Sequence, residues 1–437
     1  MLFFASFGTI VIHSSVLTTL IRERHTTLVN ESVLFWWNMA VSALFGLLLI
    51  AIGGFISRFY ALPLLAPLMV AAAVQVVAAA PGIVPAALLT RALRFSDLAI
   101  VGTIANVVSG AVGIGLALNG FGAWALAVQL IVAPALGSAL YWQRSGWRPG
   151  AYFNPRGALA QFRFAGWMIP SNMLDLLYSQ GFSLIVGKLY GARDLGLYAR
   201  ASNLQQIPQN IVTQIIGRVS LPLFSQRDDD PEALARGLLS ANRLVMIGFA
   251  PLMLGIAACP GIVIDALFGP QWLSVAPVLT ILALSAIPFP VIMLNLQLLL
   301  AKGDAARFLR VEVTRKALAV MCIVIGSLSG LTGLAWSQLA AMLIGLVVVT
   351  RPTFNRLGCG LVRQVGDLAS IVVAAAGMAL AILLAERMMT LPALIELPLL
   401  GVVGLASYAA SCWLLRVKAF GEALHLIRVL RSVPEAS

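Results

Sequence analysis

The feature that most constrains this chain is a series of long stretches without a single Asp, Glu, Lys or Arg. Ser32 to Ser57, Ala61 to Thr90, Leu244 to Ile264 and Leu397 to Leu415 are each charge-free. About 20 apolar residues in helical conformation cross a hydrocarbon core, so each stretch reads as one membrane-spanning helix. Leu98 to Gln143 and Ala317 to Thr350 are charge-free too but exceed a single crossing, and each carries turn residues at its middle, Asn119-Gly120-Phe121-Gly122 and Ser329-Gly330-Leu331-Thr332-Gly333. These two are helical hairpins. Runs of this length show no two-residue alternation, which excludes a transmembrane barrel. Composition agrees: 11% of residues are charged, against about 25% in soluble domains.

The pattern predicts thirteen helices at 2–20, 33–54, 63–85, 98–118, 121–141, 164–187, 197–217, 239–260, 275–300, 311–329, 332–350, 368–385 and 397–415. Met1 to Leu20 has neither a basic region before its apolar run nor a small-residue cleavage pattern, and reads as a span. Basic residues are retained on the cytoplasmic side. Of the 29 Lys and Arg residues, 24 fall in one alternate set of connections. The other set has only Arg58, Lys188, Arg193, Arg200 and Arg387. The C-terminus is therefore expected in the cytoplasm, and the +12 net charge is chiefly an orientation signal and not a nucleic-acid footprint.

The two halves repeat at an offset near 211 residues. Ala66-Pro67-Leu68 parallels Ala276-Pro277-Val278, Arg91 parallels Lys302, and Gly122 with Trp124 parallels Gly333 with Trp336, while Asn38 matches Asn242 at a slightly smaller offset. Repeated lobes around a site are a transporter plan. The expected architecture is all-α and polytopic: an N-terminal lobe at 1–150, a C-terminal lobe at 151–355, then an extra helix pair and a basic tail at 356–437. The N-terminal lobe lacks a counterpart to the helix at 164–187. On the repeat, roughly 45 residues containing one helix are missing ahead of Met1, and restoring them gives fourteen spans.

Ionisable and amide groups inside a membrane are costly and point to function. Asp175 lies mid-helix, sharing a face with Asn172 and Ser179, either as an ion-coupling group or as the partner of a neighbouring Arg or backbone group. The following helix is the least apolar of the set, with Asn203, Gln205, Gln206, Gln209, Asn210 and Gln214, preceded by Arg200 and ended by Arg218. Interhelical bridging accounts for some of these amides, but six within twelve positions favour a cavity wall. Lys188, Arg193 and Arg200 are the one basic cluster that departs from the topology rule, and their donors suit an anion; solvated loop positions, or for Arg193 a local pair with Asp194, are the alternative. The substrate-contact candidates are Lys188, Arg200, Gln205, Gln209, Asn210 and Arg218. Glu312, Arg315 and Lys316 are spaced as a surface salt-bridge set. The glycine pairs Gly187/Gly191 and Gly326/Gly330 suggest close helix packing. Cys259, Cys322, Cys359 and Cys412 lack metal or redox spacing, no catalytic or cofactor signature is visible, and an enzyme is not expected.

The segments 184–201 (LIVGKLYGARDLGLYARA), 217–225 (GRVSLPLFS) and 267–272 (LFGPQW) resemble the polysaccharide transporters of the multidrug/oligosaccharidyl-lipid/polysaccharide flippase superfamily, especially the colanic-acid and lipopolysaccharide exporter branch. The likeness runs over nearly the whole chain, and the departure is the first of the family's usual fourteen helices. The resemblance implies two six-helix lobes around a cationic cavity in the bacterial inner membrane, alternating between cytoplasmic and periplasmic openings. The implied cargo is an undecaprenyl-diphosphate-linked oligosaccharide for O-antigen, capsule or exopolysaccharide. Lys188 and Arg200 would hold phosphate or acidic sugar, the amide helix would line the glycan path, and Asp175 would couple to H+ or Na+. The protein would act without cofactor, metal or nucleic acid, as a monomer beside the polysaccharide polymerase machinery. A multidrug exporter of the same superfamily is the first alternative, though exporters of organic cations want cavity carboxylates. A membrane polymerase or glycosyltransferase is the second, though no connection is long enough for a soluble catalytic domain.

Overall fold

The computed structural model describes residues 27–92, 94–152, 186–225, 231–301, 305–389 and 391–417. Every regular element among them is helical. The chain divides into two compact units, Met1–Gly181 and Phe182–Ser437.

The described part of the first unit holds four helices: α1 (Leu28–Tyr60), α2 (Leu65–Arg91), α3 (Phe95–Leu118) and α4 (Ala123–Ser145). The hairpin turn expected at 119–122 joins α3 to α4, with Gly120 and Gly122 at φ +80° and +53°, values that a Cβ makes costly. α2 packs along both α1 and α4, and α3 packs on α4. The α2–α4 approach is close because Gly82 lacks a side chain: a Cβ there would lie 2.9 Å from Ser138 Cα. Two prolines, Pro81 and Pro85, sit inside α2. Pro85 removes the N–H that would bond the Pro81 carbonyl, and Trp142 Nε1 of α4 donates to that carbonyl at 2.8 Å instead. In hydrocarbon such a substitute is needed, because no water can serve.

At one end of this unit Asp97 accepts from Arg94 at 2.7 Å and Arg144 at 3.0 Å, tying α3 to α4. The start of the Arg/Gly/Pro-rich linker lies against α1. Trp147 Nε1 donates to Glu31 Oε2, the Gly150 N–H to Ser32 Oγ, and Trp36 Nε1 to the Gly150 carbonyl.

The second unit contains α5 (Gly191–Ser225), α6 (Pro231–Ala258), α7 (Pro260–Phe268), a 3-10 helix (Pro270–Val275), α8 (Ala276–Ala286) and α9 (Phe289–Ala301). It continues with α10 (Ala305–Gly326), a 3-10 turn (Ser327–Ser329), α11 (Gly330–Leu357), α12 (Leu361–Met388) and α13 (Ala393–Leu414). The span expected at 275–300 is broken into α8 and α9 at Ile287-Pro288, where Pro288 and Pro290 withdraw two backbone donors. α6 packs on α8 and α9, these on α11, and α10 on α11, the same order in which α1, α2, α4 and α3 pack in the first unit. The repeat seen in sequence is thus a repeat of packing. α12 lies along α6 and carries α13 with it.

Nine helical segments among the described residues are long and apolar enough to cross a membrane, and one of them, Arg307–Asn355, includes both α10 and α11. The all-α polytopic architecture stands. The helix expected at 2–20, the linker beyond residue 152 and nearly all of the helix at 164–187 lie outside the described residues, as does the tail from 418.

Two expectations change. The connection expected at 188–196 is largely helical: 186–189 are helical, only Tyr190 turns, and α5 begins at Gly191. Gly191 serves that turn with φ +85°, so it is a turn glycine and not half of a helix-packing pair. Gly326 does pack closely, but against Gly333: a Cβ on Gly326 would lie 2.7 Å from the Gly333 carbonyl oxygen. Gly330 instead supplies the φ of +78° that starts α11.

Candidate functional site

α5 is the helix that composition singled out. At 35 residues it is long enough to cross a bilayer, yet it is absent from the apolar spans because it is too polar. Its residues sort onto three faces at helical spacing. Tyr198, Ala201, Gln205, Pro208, Val212 and Ile216 form the buried seam. Asn203, Gln206, Asn210 and Gln214 form an exposed amide stripe. Ile207, Ile211 and Ile215 form a second exposed stripe, aliphatic, next to it.

The buried seam uses one of the six amides. Gln205 is 2% exposed; its Nε2 donates to the Leu282 carbonyl at 2.8 Å and to Ser285 Oγ at 3.1 Å, both on α8. Its Oε1 accepts from Gln338 Nε2 on α11 at 3.5 Å, and Gln338 Oε1 accepts from the Tyr198 hydroxyl at 2.8 Å. This chain fastens α5 to α8 and α11, so the Gln205 amide is committed to helix packing. Tyr190 adds a further tie by donating to the Ser327 carbonyl at the α10–α11 turn. Gln209 is half-buried and Asn210 exposed. The sequence pattern showed six amides on one helix, and only packing separates the seam amide from the stripe.

The aliphatic stripe borders a groove of about 380 Å³ between α5 and α6, lined by Ile211, Ile215, Leu244, Val245, Phe249 and Leu252 among others. One helix therefore presents amides and, around its circumference, an aliphatic groove.

Lys188 lies in the short helical stretch before the Tyr190 turn, and its side chain is exposed. Arg200 is also exposed. Its guanidinium carbon sits 5.3 Å from the Phe268 ring centroid and 5.2 Å from the Trp272 centroid. Arg218 is within α5, but its side chain is outside the described residues, as is Asp175 altogether.

The Glu312 set departs from its expected surface position. Glu312, Arg315 and Lys316 side chains are 14%, 13% and 6% exposed, well inside the second unit. Glu312 meets Arg315 through two hydrogen bonds, at 2.7 and 3.1 Å, and Lys316 Nζ at 3.1 Å. Space for the Arg315 stem comes from Gly345 on α11, where a Cβ would lie 3.2 Å from Arg315 Cγ. The i, i+3, i+4 spacing identifies partners but is silent on which helical face is covered, and α11 covers this one.

A second polar cluster carries no sequence signature. Gln364 of α12 is fully buried; its Nε2 donates to the Cys359 carbonyl at 2.9 Å and Asn295 Oδ1 at 3.2 Å. Its Oε1 accepts from Asn295 at 2.8 Å and Asn242 at 3.4 Å, and Thr353 Oγ1 donates to Asn295 Oδ1 at 2.6 Å. Next to it Arg243 binds both oxygens of Asp367 at 3.0 and 2.9 Å. Residues of α6, α9, α11 and α12 meet here. Asn242 and Asn38, the repeat-related pair, each keep a buried side-chain carbonyl oxygen without a protein partner.

Among the described residues no group of His, Cys, Asp and Glu could hold a metal ion. Burial raises the Cys359 thiol, so it is a weak nucleophile at neutral pH.

The architecture is a known one. The chain shares its fold with the solved structure of the lipid II flippase MurJ in its inward closed conformation, at a TM-score of 0.75 and 14% identity over 94% of this chain and 89% of that one. In sequence it is 28% identical over 304 residues to the teichuronic acid biosynthesis protein TuaB of Bacillus subtilis, covering 68% of this chain and 62% of that protein. It is 27% identical over 268 residues to the succinoglycan biosynthesis transport protein ExoT of Rhizobium meliloti (61% and 54%). To the lipopolysaccharide biosynthesis protein WzxC of Escherichia coli it is 24% identical over 340 residues (76% and 68%). The matched stretch thus spans less than two thirds of TuaB and ExoT. Residues 1–277, well over half of the chain, match the family described as polysaccharide biosynthesis protein. With helices of the expected order and a repeat of packing behind that match, the chain belongs to the polysaccharide biosynthesis protein family.

Proposed function

We propose that this protein flips a lipid-linked oligosaccharide across the bacterial inner membrane, by alternating access, for surface polysaccharide synthesis. The observation that carries this reading is α5. Its exposed stripe of Asn203, Gln206, Asn210 and Gln214 would be penalised against lipid, and it lies beside an aliphatic groove. A glycan on a polyprenyl diphosphate is the kind of amphipathic cargo for which a polar and an aliphatic surface on one helix are both of use. Amides give donors and acceptors to sugar hydroxyls without the desolvation cost of a charge. The names of the relatives TuaB, ExoT and WzxC support the same class of cargo.

In this scheme Lys188 and Arg200 contact phosphate or acidic sugar, Gln209 and Asn210 line the glycan path, and Gln205 holds the wall in place. Arg218 and Asp175 remain the candidates for a further cationic contact and for coupling to H+ or Na+. The excess of basic residues on alternate connections supports a cytoplasmic C-terminus. The protein works as a monomer beside the polymerase and performs no covalent chemistry.

The test is complementation of a flippase-deficient strain by the chain, and by the chain extended with the sequence encoded upstream. Surface polysaccharide should be restored by one or both. Failure of both, with each protein present in the membrane, overturns the reading. Restored efflux of organic cations in its place would favour the multidrug exporter.

A further inference from the structure

The LFGPQW segment has, in the structure, one clear service: it holds Arg200. Phe268 closes α7, and Gly269 then turns the chain with φ +90°, a conformation that L side chains rarely adopt. The Trp272 N–H donates to the Gly269 carbonyl at 3.1 Å and starts the 3-10 helix. This tight reversal brings Phe268 and Trp272, four residues apart, to 5.3 and 5.2 Å from the same guanidinium carbon. Both distances are within the reach of a cation–π contact.

Aromatic faces attract the charge without offering the lone pairs of an oxygen acceptor, and the five N–H groups lie in the guanidinium plane. Arg200 makes no hydrogen bond and no ion pair among the described residues, and its side chain is exposed. The guanidinium is held near two rings and its donors remain available to a ligand. Rotamer freedom is the chief cost of binding through an Arg, and two rings remove much of it before the ligand arrives.

We propose that Arg200, Phe268 and Trp272 form an oxyanion platform, in which the two rings are positioning residues and the guanidinium edge takes two adjacent oxygens of a phosphate or of a uronic acid carboxylate. This deepens the flippase reading and rests on it: the diphosphate carrier and an acidic sugar of the glycan are the two sources of that chemistry. Trp272→Phe keeps a ring and Trp272→Leu does not, so the pair separates positioning from mere bulk. Arg200→Lys keeps the charge and loses the paired donors.

The experiment uses the full chain purified in lipid nanodiscs, titrated calorimetrically with inorganic diphosphate and, separately, with glucuronate. The wild type should bind at least one probe. Trp272→Phe should stay within about three-fold of it, whereas Trp272→Leu and Arg200→Lys should each weaken binding by about ten-fold, with Phe268→Leu between. Preference for diphosphate assigns the platform to the carrier, and preference for glucuronate assigns it to the sugar. If Trp272→Leu does not fold, Arg200→Lys decides, since an exposed side chain tolerates that change. The proposal is overturned if neither probe binds, if Arg200→Lys binds like the wild type, or if Trp272→Phe loses as much as Trp272→Leu. Export measured in parallel in cells keeps the two ideas apart. A wild type that exports glycan while Arg200→Lys exports and binds equally well sinks the platform alone, and failure to export by both the chain and its upstream-extended form sinks the flippase.

Discussion

Replacing Gln364 by Leu tests whether the buried amide cluster is what joins the C-terminal helix pair to the rest of the second unit. Leu nearly conserves the volume, so little of the effect comes from a cavity. Four contacts vanish, but two of the partners keep other bonds. Asn295 Nδ2 still reaches the Val291 carbonyl at 2.8 Å, and Asn295 Oδ1 still accepts from Thr353. The groups left unpaired are the Cys359 carbonyl and the Asn242 amide. A stranded buried group costs about 1–3 kcal/mol, and polar contacts between membrane helices average nearer ~0.6 kcal/mol. The expected loss is about 2–4 kcal/mol, on the order of 5–10 °C in the thermal midpoint of a unit this size. Asn242→Ala should cost about 1 kcal/mol, because it removes a 3.4 Å bond and a few packed atoms together with a carbonyl oxygen that has no partner. The double variant should cost less than the sum of the two, since Asn242 is one of the groups that Gln364→Leu strands. Thermal unfolding of the detergent-purified protein, followed by fluorescence-detected size exclusion, measures all three. A Gln364→Leu midpoint within about 1 °C of wild type, or an Asn242→Ala loss larger than that of Gln364→Leu, refutes the reasoning.

Glu312→Gln removes the carboxylate that Arg315 and Lys316 both contact and should destabilise by about 1–3 kcal/mol, whereas a surface set would lose under about 1 kcal/mol; the same unfolding assay distinguishes them. Gly326→Ala drives a methyl group into the Gly333 carbonyl and should cost about 1–3 kcal/mol, read as a lower yield of monodisperse protein. Cys359, whose thiol is raised by burial, should resist maleimide at pH 7 to 8, because the reactive thiolate gains population only as pH rises toward the raised value; its labelling at neutral pH, read by mass spectrometry, would contradict its burial. An engineered cysteine at Asn119 should react with an impermeant maleimide in intact cells and one at Gln143 only after permeabilisation; the reverse result would invert the topology.

Charge-free runs of membrane length determine by themselves that the chain is a bundle of helices, because unpaired backbone in hydrocarbon admits little else. The hairpin turns at Gly120 and Gly330 and the repeat of lobes were equally legible, since glycine at positive φ and basic residues between spans are local properties. The polar composition of α5 was legible as well. Which of its amides faces what was not, because a helix of period 3.6 distributes side chains over all faces and only neighbours decide which are covered. Packing on α8 and α11 took Gln205 into the seam and left Asn210 outside. α11 likewise covered Glu312, Arg315 and Lys316, whose spacing suits a wet surface equally well. The meeting of Arg200 with Phe268 and Trp272 joins residues about 70 positions apart, and that of Asn242 with Gln364 joins residues 122 apart. Such pairs depend on the crossing of helices, which is a tertiary fact: periodicity sets a side chain's direction, and only the assembled lobe sets what it meets.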